Sequence, residues 1–479
     1  ATALVALVAG VAGIMRERDR SAREEAKARA ISGFLVDLLE SADPWQGGAR
    51  QTTVVDALAA GVKQVNAGRI ADPAVSASVR RTIATAYQGL GRFAEADTLF
   101  RETLRERIGR TGPASEETAE SWNDLGILLT AQGQLDSAGA VLGRALEIRR
   151  SHGDADTLLA GTLLDLADLT NLTGEHARGD SLAQEALAII RRNVGERHLA
   201  VAAAMARRLA AQLGAGELAK AEATGRAALA MLAELGLERH PQMVPVLSDL
   251  GITLANQGKF TEALEMARRT VALDSAVFGP SHPYLATHLE NLGYVYDRAG
   301  LADSAKLAVQ QVLAMRRALL APEDPAIGRT LFNLAALEYN SRSYRAAEPL
   351  YEEALLRMQR AYGPEHQDVV YATGSMGRNQ YYLGRTTEAE RNLRWALSVT
   401  APSAPPSPVD SARFGRILVS LLVDERRWRE AEPLALRVLA IQDSMQDTLA
   451  RLTAENLAKI YEATGRKGVA ERYRARPSR

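Results

Sequence analysis

The chain of 479 residues carries 58 Lys+Arg against 58 Asp+Glu and contains no Cys. The charge balance leaves no strongly basic face for nucleic acid, and the missing thiols exclude disulfide scaffolds, thiolate metal sites and Cys nucleophiles. Length alone suggests about three domains, an expectation that a repeat in the sequence overrides, because a stacked array needs no single central core.

Residues 1–15 are uncharged and mostly apolar, and Arg16-Glu17-Arg18-Asp19-Arg20 follows abruptly. Fifteen residues fall short of the roughly 20 that span a bilayer. The run reads as the C-terminal part of a transmembrane helix that begins outside this sequence. A secretory leader lacking its basic start and a buried Ala/Val helix are the other readings. A helix is expected from Arg16 to Ala42, with Ile31, Phe34, Leu35, Leu38 and Leu39 on one stripe. Asp43-Pro44 ends it, since the residue before Pro avoids the helical region. A second helix, Thr53 to Asn66, carries Val54, Val55, Leu58, Val62 and Val65. Together, residues 16–70 read as a juxtamembrane helix and an N-terminal cap over the open end of the array.

From residue 71 to 479 one pattern recurs. A turn slot falls at Gly91, Gly133, Gly174, Gly216, Gly258, Gly300, Arg342, Gly384, Arg426 and Gly465, at steps of 42, 41, six of 42, and 39. Seven residues earlier the slot is mostly small: Ala84, Gly126, Ala167, Leu209, Gly251, Gly293, Ala335, Gly377, Val419, Ala458. Five residues later it is always Ala or Gly, from Ala96 to Ala470. Each unit is then helix A, a tight turn, helix B and a loop, with close approach of the two helices at the small slots. His198, His240, His282, Asp324 and His366 share one loop slot. Pro241, Pro283 and Pro325 suit the first position of a helix A, and Pro349 and Pro433 the first turn of a helix B. The Pro-rich loop 401–408 keeps the 42-residue spacing and is not a domain boundary.

Segments such as Trp122-Asn123-Asp124-Leu125-Gly126, Asn291-Leu292-Gly293-Tyr294-Val295-Tyr296, Ala347-Glu348-Pro349-Leu350-Tyr351 and Tyr362-Gly363-Pro364-Glu365-His366 resemble the tetratricopeptide repeat in its 42-residue, kinesin-light-chain-like form. The resemblance covers about residues 72–476. It implies an all-α, right-handed superhelical solenoid of about ten helix-turn-helix repeats, with A helices lining the concave groove. A narrower resemblance rests on about 45 residues, the apolar run, Arg16 to Arg20 and Phe34 to Pro44. It looks like the region after the membrane helix of bacterial eukaryotic-like Ser/Thr protein kinases. The kinase motifs themselves, a Gly-rich phosphate loop, His-Arg-Asp and Asp-Phe-Gly, are absent from the sequence.

No metal, cofactor or catalytic motif stands out. The loop histidines recur one repeat apart, too far to share an ion at metal–nitrogen distances of about 2.1 Å. Twelve of the 24 aromatic residues lie between Tyr284 and Trp395. Counted from the turn, Tyr294, Phe332, Tyr339, Tyr371, Tyr381 and Tyr382 fall on helix-A positions facing the groove, with Arg298, Arg329, Asn340 and Arg378 on the same face. Rings supply contact area at low entropic cost and Arg and Asn fix polar groups, so the strip suits an extended peptide. A locally thick, Tyr-rich wall is the other reading. The expected function is a non-catalytic scaffold binding protein or peptide partners, without nucleic acid. It would be anchored in the membrane through its N-terminal helix as the sensor or docking region of a Ser/Thr kinase, with the array outside the cytoplasm or, as Arg16, Arg18, Arg20 and Arg23 favour, inside it. A free-standing secreted or cytoplasmic adaptor is the alternative, and so is a parent kinase whose catalytic domain is not in this chain.

Overall fold

The computed structural model describes residues 32–33, 53–153, 157–399 and 407–475. The apolar run 1–15, nearly all of the helix expected over 16–42 and most of the loop 401–408 lie outside them. Among the described residues there are 21 helices and no strand, and no helix is long and apolar enough to cross a membrane.

The chain divides into two compact units, Ala1–Gly236 and Leu237–Arg479. In the first, α1 (Val54–Asn66) precedes four A/B pairs: α2 (Pro73–Gly89) with α3 (Phe93–Thr111), α4 (Glu116–Ala131) with α5 (Leu135–His152), α6 (Thr157–Leu172) with α7 (His176–Val194), and α8 (Leu199–Gly214) with α9 (Leu218–Glu234). The second holds six: α10 (Met243–Asn256) with α11 (Phe260–Phe278), α12 (Pro283–Arg298) with α13 (Ala302–Leu319), α14 (Pro325–Asn340) with α15 (Tyr344–Tyr362), α16 (Gln367–Tyr382) with α17 (Thr386–Ser398), α18 (Pro408–Asp424) with α19 (Trp428–Ser444), and α20 (Ala450–Ala463) with the short α21 (Lys467–Arg474). This is a solenoid of helix hairpins.

The turn slot is the C′ position of every helix A. All ten residues there have φ between 58° and 81°, the left-handed region that glycine enters without penalty. At Gly258 the backbone closes two bonds, Gly258 N–H to Ala255 O at 3.1 Å and Lys259 N–H to Leu254 O at 2.9 Å. They satisfy carbonyls that the helix end would leave bare. Arg342 holds the same geometry, with Ser343 N–H reaching Glu338 O at 2.9 Å.

The small slots let the two helices of a hairpin touch. Ala96, Ala138, Ala221, Ala263, Ala305, Ala347, Ala389 and Ala431 have no exposed surface. A Cβ added at Gly126 would collide with the Leu142 side chain, and one at Gly377 would lie 3.0 Å from Leu393 Cγ. Leu209 and Val419 break the small rule yet are fully buried. By the same register the residue opposite Leu209 is Gly225, and opposite Val419 it is Ala435. Volume is conserved across the hairpin, as a close-packed interior requires.

In α1 the Thr53 side chain caps the helix and Leu58 and Val65 are buried, but Val54 is exposed. The shared loop slot is a helix N-cap. His198, His282 and His366 each accept, through Nδ1, the backbone N–H two residues on, at 3.1–3.2 Å. Asp324 does so through Oδ1 at 2.8 Å. His240 makes the same bond to Gln242 N–H, but α10 starts only at Met243, so Pro241 lies in a turn before the helix and not at its first position. Pro283 and Pro325 do occupy the first turn. Pro349 and Pro433 also depart from expectation. Their helices begin at Tyr344 and Trp428, so each proline sits inside the helix. The carbonyls they leave without a donor are those of Arg345 and Arg429, both exposed and open to water.

One buried position near the end of a helix B ties it to the next helix A. Arg107 donates to Glu117 O at 2.8 Å and Ser121 Oγ at 3.0 Å. Arg149 donates to Leu158 O at 2.8 Å and to Thr162 Oγ1. Arg316 donates to Thr330 Oγ1 at 2.5 Å and pairs with Glu290 at 2.8 Å. A buried cation is tolerated because each is paired and bonded.

Candidate functional site

Consecutive A helices of the second unit are linked side by side by bonds between residues about one repeat apart. Asn291 Nδ2 donates to Ser248 Oγ at 3.0 Å, and Asn333 Nδ2 to Glu290 Oε1 at 2.8 Å. Tyr294 OH donates to Asn256 Oδ1 at 2.5 Å, and Tyr381 OH to Asp424 Oδ2 at 2.7 Å. Arg413 donates to Tyr371 OH at 2.5 Å. These links set neighbouring A helices side by side and bring Tyr294, Tyr371 and Tyr381 to their junctions.

Six of the ten expected residues converge there: Phe332, Tyr339, Tyr371, Arg378, Tyr381 and Tyr382. Phe332 lies between the rings of Tyr351 and Tyr371, with centroids 5.5 Å away on each side. Tyr371 continues the row to Phe414 at 5.8 Å. Tyr382 stacks on Tyr344 at 4.9 Å and meets Tyr339 and Tyr381 edge-on at 5.9 and 5.2 Å. The Arg378 guanidinium sits over the Tyr339 ring, 4.6 Å from its centroid, a cation–π contact. Such ring pairs hold one another in place, so the surface is preformed.

The remaining four behave differently. Tyr294 and Asn340 line a neighbouring cleft between α12 and α14. Arg298 and Arg329 are exposed and outside the ring cluster. Tyr351 is 2 % exposed, and Phe332, Tyr371 and Tyr381 are half-buried. Tyr382, at 44 %, presents the most surface of the six.

Electrostatics follow burial. Desolvation raises the Tyr339 hydroxyl above the usual phenol range against the pull of Arg378. Burial and then the Asp424 carboxylate raise Tyr381 as well. Both stay neutral donors at any physiological pH. Among the described residues no carboxylate pairs with Arg378 or Arg416, and the Nε of each is buried without a hydrogen-bond partner. Most arginines elsewhere carry a Glu or Asp partner. The face therefore presents rings and two arginines without a paired carboxylate, with the Asp424 carboxylate engaged by the Tyr381 hydroxyl. Sequence reading missed Arg416 and Phe414. Arg416 stands at the same turn-relative slot as Phe332 and Glu290, which would have revealed it. The half-buried Tyr344 also joins the stack, through Tyr382.

The tetratricopeptide-repeat family model matches residues 75–151, 242–318 and 326–400. No curated protein matches. Among solved structures, a human IFIT1 dimer with PPP-AAAA is 14 % identical, covers 87 % of this chain and 85 % of its own, and has a TM-score of 0.51. BtubC (BKLC) from P. vanneervenii is 23 % identical over 48 % of this chain and 93 % of its own, with a TM-score of 0.41. A Podosopora anserina kinesin light chain of nearly identical TPR-like repeats is 19 % identical over 42 % and 95 %, with a TM-score of 0.36. The chain thus carries tetratricopeptide repeats in a helical-repeat fold.

Proposed function

We propose that this chain is a non-catalytic tetratricopeptide scaffold whose A-helix face in the second unit binds an extended segment of a protein partner. The observation that carries the reading is Arg378. Its guanidinium rests on the Tyr339 ring at 4.6 Å and has no carboxylate partner among the described residues. A desolvated cation backed by an aromatic face gains most from an arriving anion. An acidic side chain or peptide C-terminus would dock on Arg378 and Arg416, and an adjacent apolar residue would cover Tyr339 and Tyr382. In the parent protein this face serves as the sensor or docking region of a membrane-anchored Ser/Thr kinase. The support is the apolar run 1–15 and the Arg16-Glu17-Arg18-Asp19-Arg20 boundary. A Gly-rich loop and His-Arg-Asp encoded upstream of Ala1 would bear this out, and an upstream Met with a basic start would sink the kinase part alone.

The binding reading is tested with random dodecapeptides displayed on phage and panned on the whole chain. Synthetic copies of the recovered peptides should lose at least tenfold in affinity to an Arg378→Glu variant. Arg298→Ala, outside the cluster, should bind as the parent does, and all three proteins should match in helical circular dichroism and melting temperature. Equal affinity for Arg378→Glu would overturn the reading.

A further inference from the structure

Beside the ring cluster, α12, α13 and α14 enclose a cleft of ≈ 330 Å³, at the lower end of the roughly 300–1,000 Å³ typical of ligand pockets. Its polar lining comes from Glu290, Asn291, Tyr294, Asp297, Asn333 and Asn340, and no Lys or Arg lines it. Three of the donors among these groups are already engaged. Asn291 Nδ2 serves Ser248, Asn333 Nδ2 serves Glu290, and the Tyr294 hydroxyl serves Asn256. Glu290 is neutralised from behind by the buried Arg316, through contacts of 3.1 and 2.8 Å. Asn291 Oδ1, Asn333 Oδ1, the Asn340 amide and the Asp297 carboxylate make no hydrogen bond among the described residues, and Asp297 is the one charged group among these four.

We propose that this cleft receives a lysine side chain of the bound peptide, its ammonium held by the Asp297 carboxylate and the amide oxygen of Asn340. The inference rests on the groove reading above and adds a second, oppositely charged contact to it. An ammonium brings three donors and a positive charge, which complements a lining that holds the Asp297 carboxylate, amide oxygens and no Lys or Arg. The Tyr294 ring, 40 % exposed at the rim, covers the alkyl stem. Burial raises the Asp297 carboxyl above the ordinary range, and the attraction of Arg298 does not offset it, so an arriving cation would relieve an existing cost. The preferred segment therefore carries a lysine two repeats away from its acidic residue, since Asp297 and Arg378 lie on α12 and α16.

The recovered dodecapeptides test this directly. They should contain a lysine whose Nε-acetylation weakens binding at least tenfold, and Asp297→Asn should abolish that difference while leaving helicity and melting temperature unchanged. Should Asp297→Asn fold poorly, Asn340→Ala provides the second variant, with an expected loss of several-fold confined to the unacetylated peptide. Peptides that depend on Arg378 but ignore both acetylation and Asp297→Asn would overturn the cleft assignment alone. A preference for arginine over lysine would overturn the ammonium assignment. Indifference to Arg378→Glu as well, or recovery of no peptide, would overturn the groove reading together with this one.

Discussion

Asp274 and His288 face each other across the junction of α11 and α12, in the slots that Arg316 and Thr330 occupy one repeat later. The Asp274 carboxylate has no exposed surface, its Oδ2 meets His288 Nδ1, and its Oδ1 is buried without a partner. The junction thus has one architecture and several chemistries. It is Arg with Thr at Arg316 and Thr330, acid with imidazole here, and apolar at Met358 and Ala372.

Removing the imidazole alone strands a buried carboxylate. His288→Ala should cost about 3 kcal/mol, within the range for breaking a buried pair. Adding Asp274→Met copies the Met358–Ala372 junction and should recover the loss, because well-packed apolar replacements of buried pairs are neutral or stabilising. Urea unfolding of the single and double variants measures both, and a double variant no better than His288→Ala would refute the interchangeability of the slots.

Arg342 and Arg426 hold φ of 60° and 58°, where their eight counterparts are glycine. A left-handed Cβ costs roughly 1–2 kcal/mol, part of which glycine gives back through its looser unfolded chain. Arg342→Gly and Arg426→Gly should each stabilise by about 0.5–1 kcal/mol. A lower melting temperature in either would show that the arginine side chain supplies more than the backbone loses.

The loop histidines act as caps through an acceptor nitrogen, as Asp324 acts through its carboxylate oxygen. His282→Ala should therefore cost about 1 kcal/mol, while His282→Asp should retain most of the stability. Thermal melts at neutral pH compare them, and equal losses in both variants would mean that the stacking of His282 on Phe278, at 4.3 Å, matters more than the cap.

Burial raises the Asp165 carboxyl to about 6 from 3.8, although Asn123 Nδ2 donates to it at 2.7 Å. Between these values the folded state holds more protons than the unfolded one, so stability falls as pH rises from about 4 to 6 and stays low above. Asp165→Asn should gain on the order of 2 kcal/mol at pH 7.5 and nothing near pH 4. An equal gain at both pH values would assign the effect to packing.

Much of the fold was legible because its causes are local. The left-handed turn demands glycine, the hairpin contact demands Ala or Gly five residues on, and both requirements recur at the repeat period. The prolines were misread where register depends on where a helix starts. One extra turn ahead of α10 displaced Pro241, and starts at Tyr344 and Trp428 carried Pro349 and Pro433 inward. The candidate site was legible as a list and not as an arrangement. Arg298 and Arg329 share the sequence slots of an inner face but stand apart from the rings, while the charge of Arg416, from the next repeat, acts on Tyr381.

The sequence by itself determined the hairpin, its period and the positions that must be small, since backbone geometry and steric contact act within some twenty residues. Only the tertiary structure decided which rings lean on which, which cations lack a counter-ion and which acceptors line a cleft. Those properties arise between side chains about 42 residues apart, such as Tyr371 and Arg413. Their meeting depends on how neighbouring hairpins pack, and no single repeat encodes it.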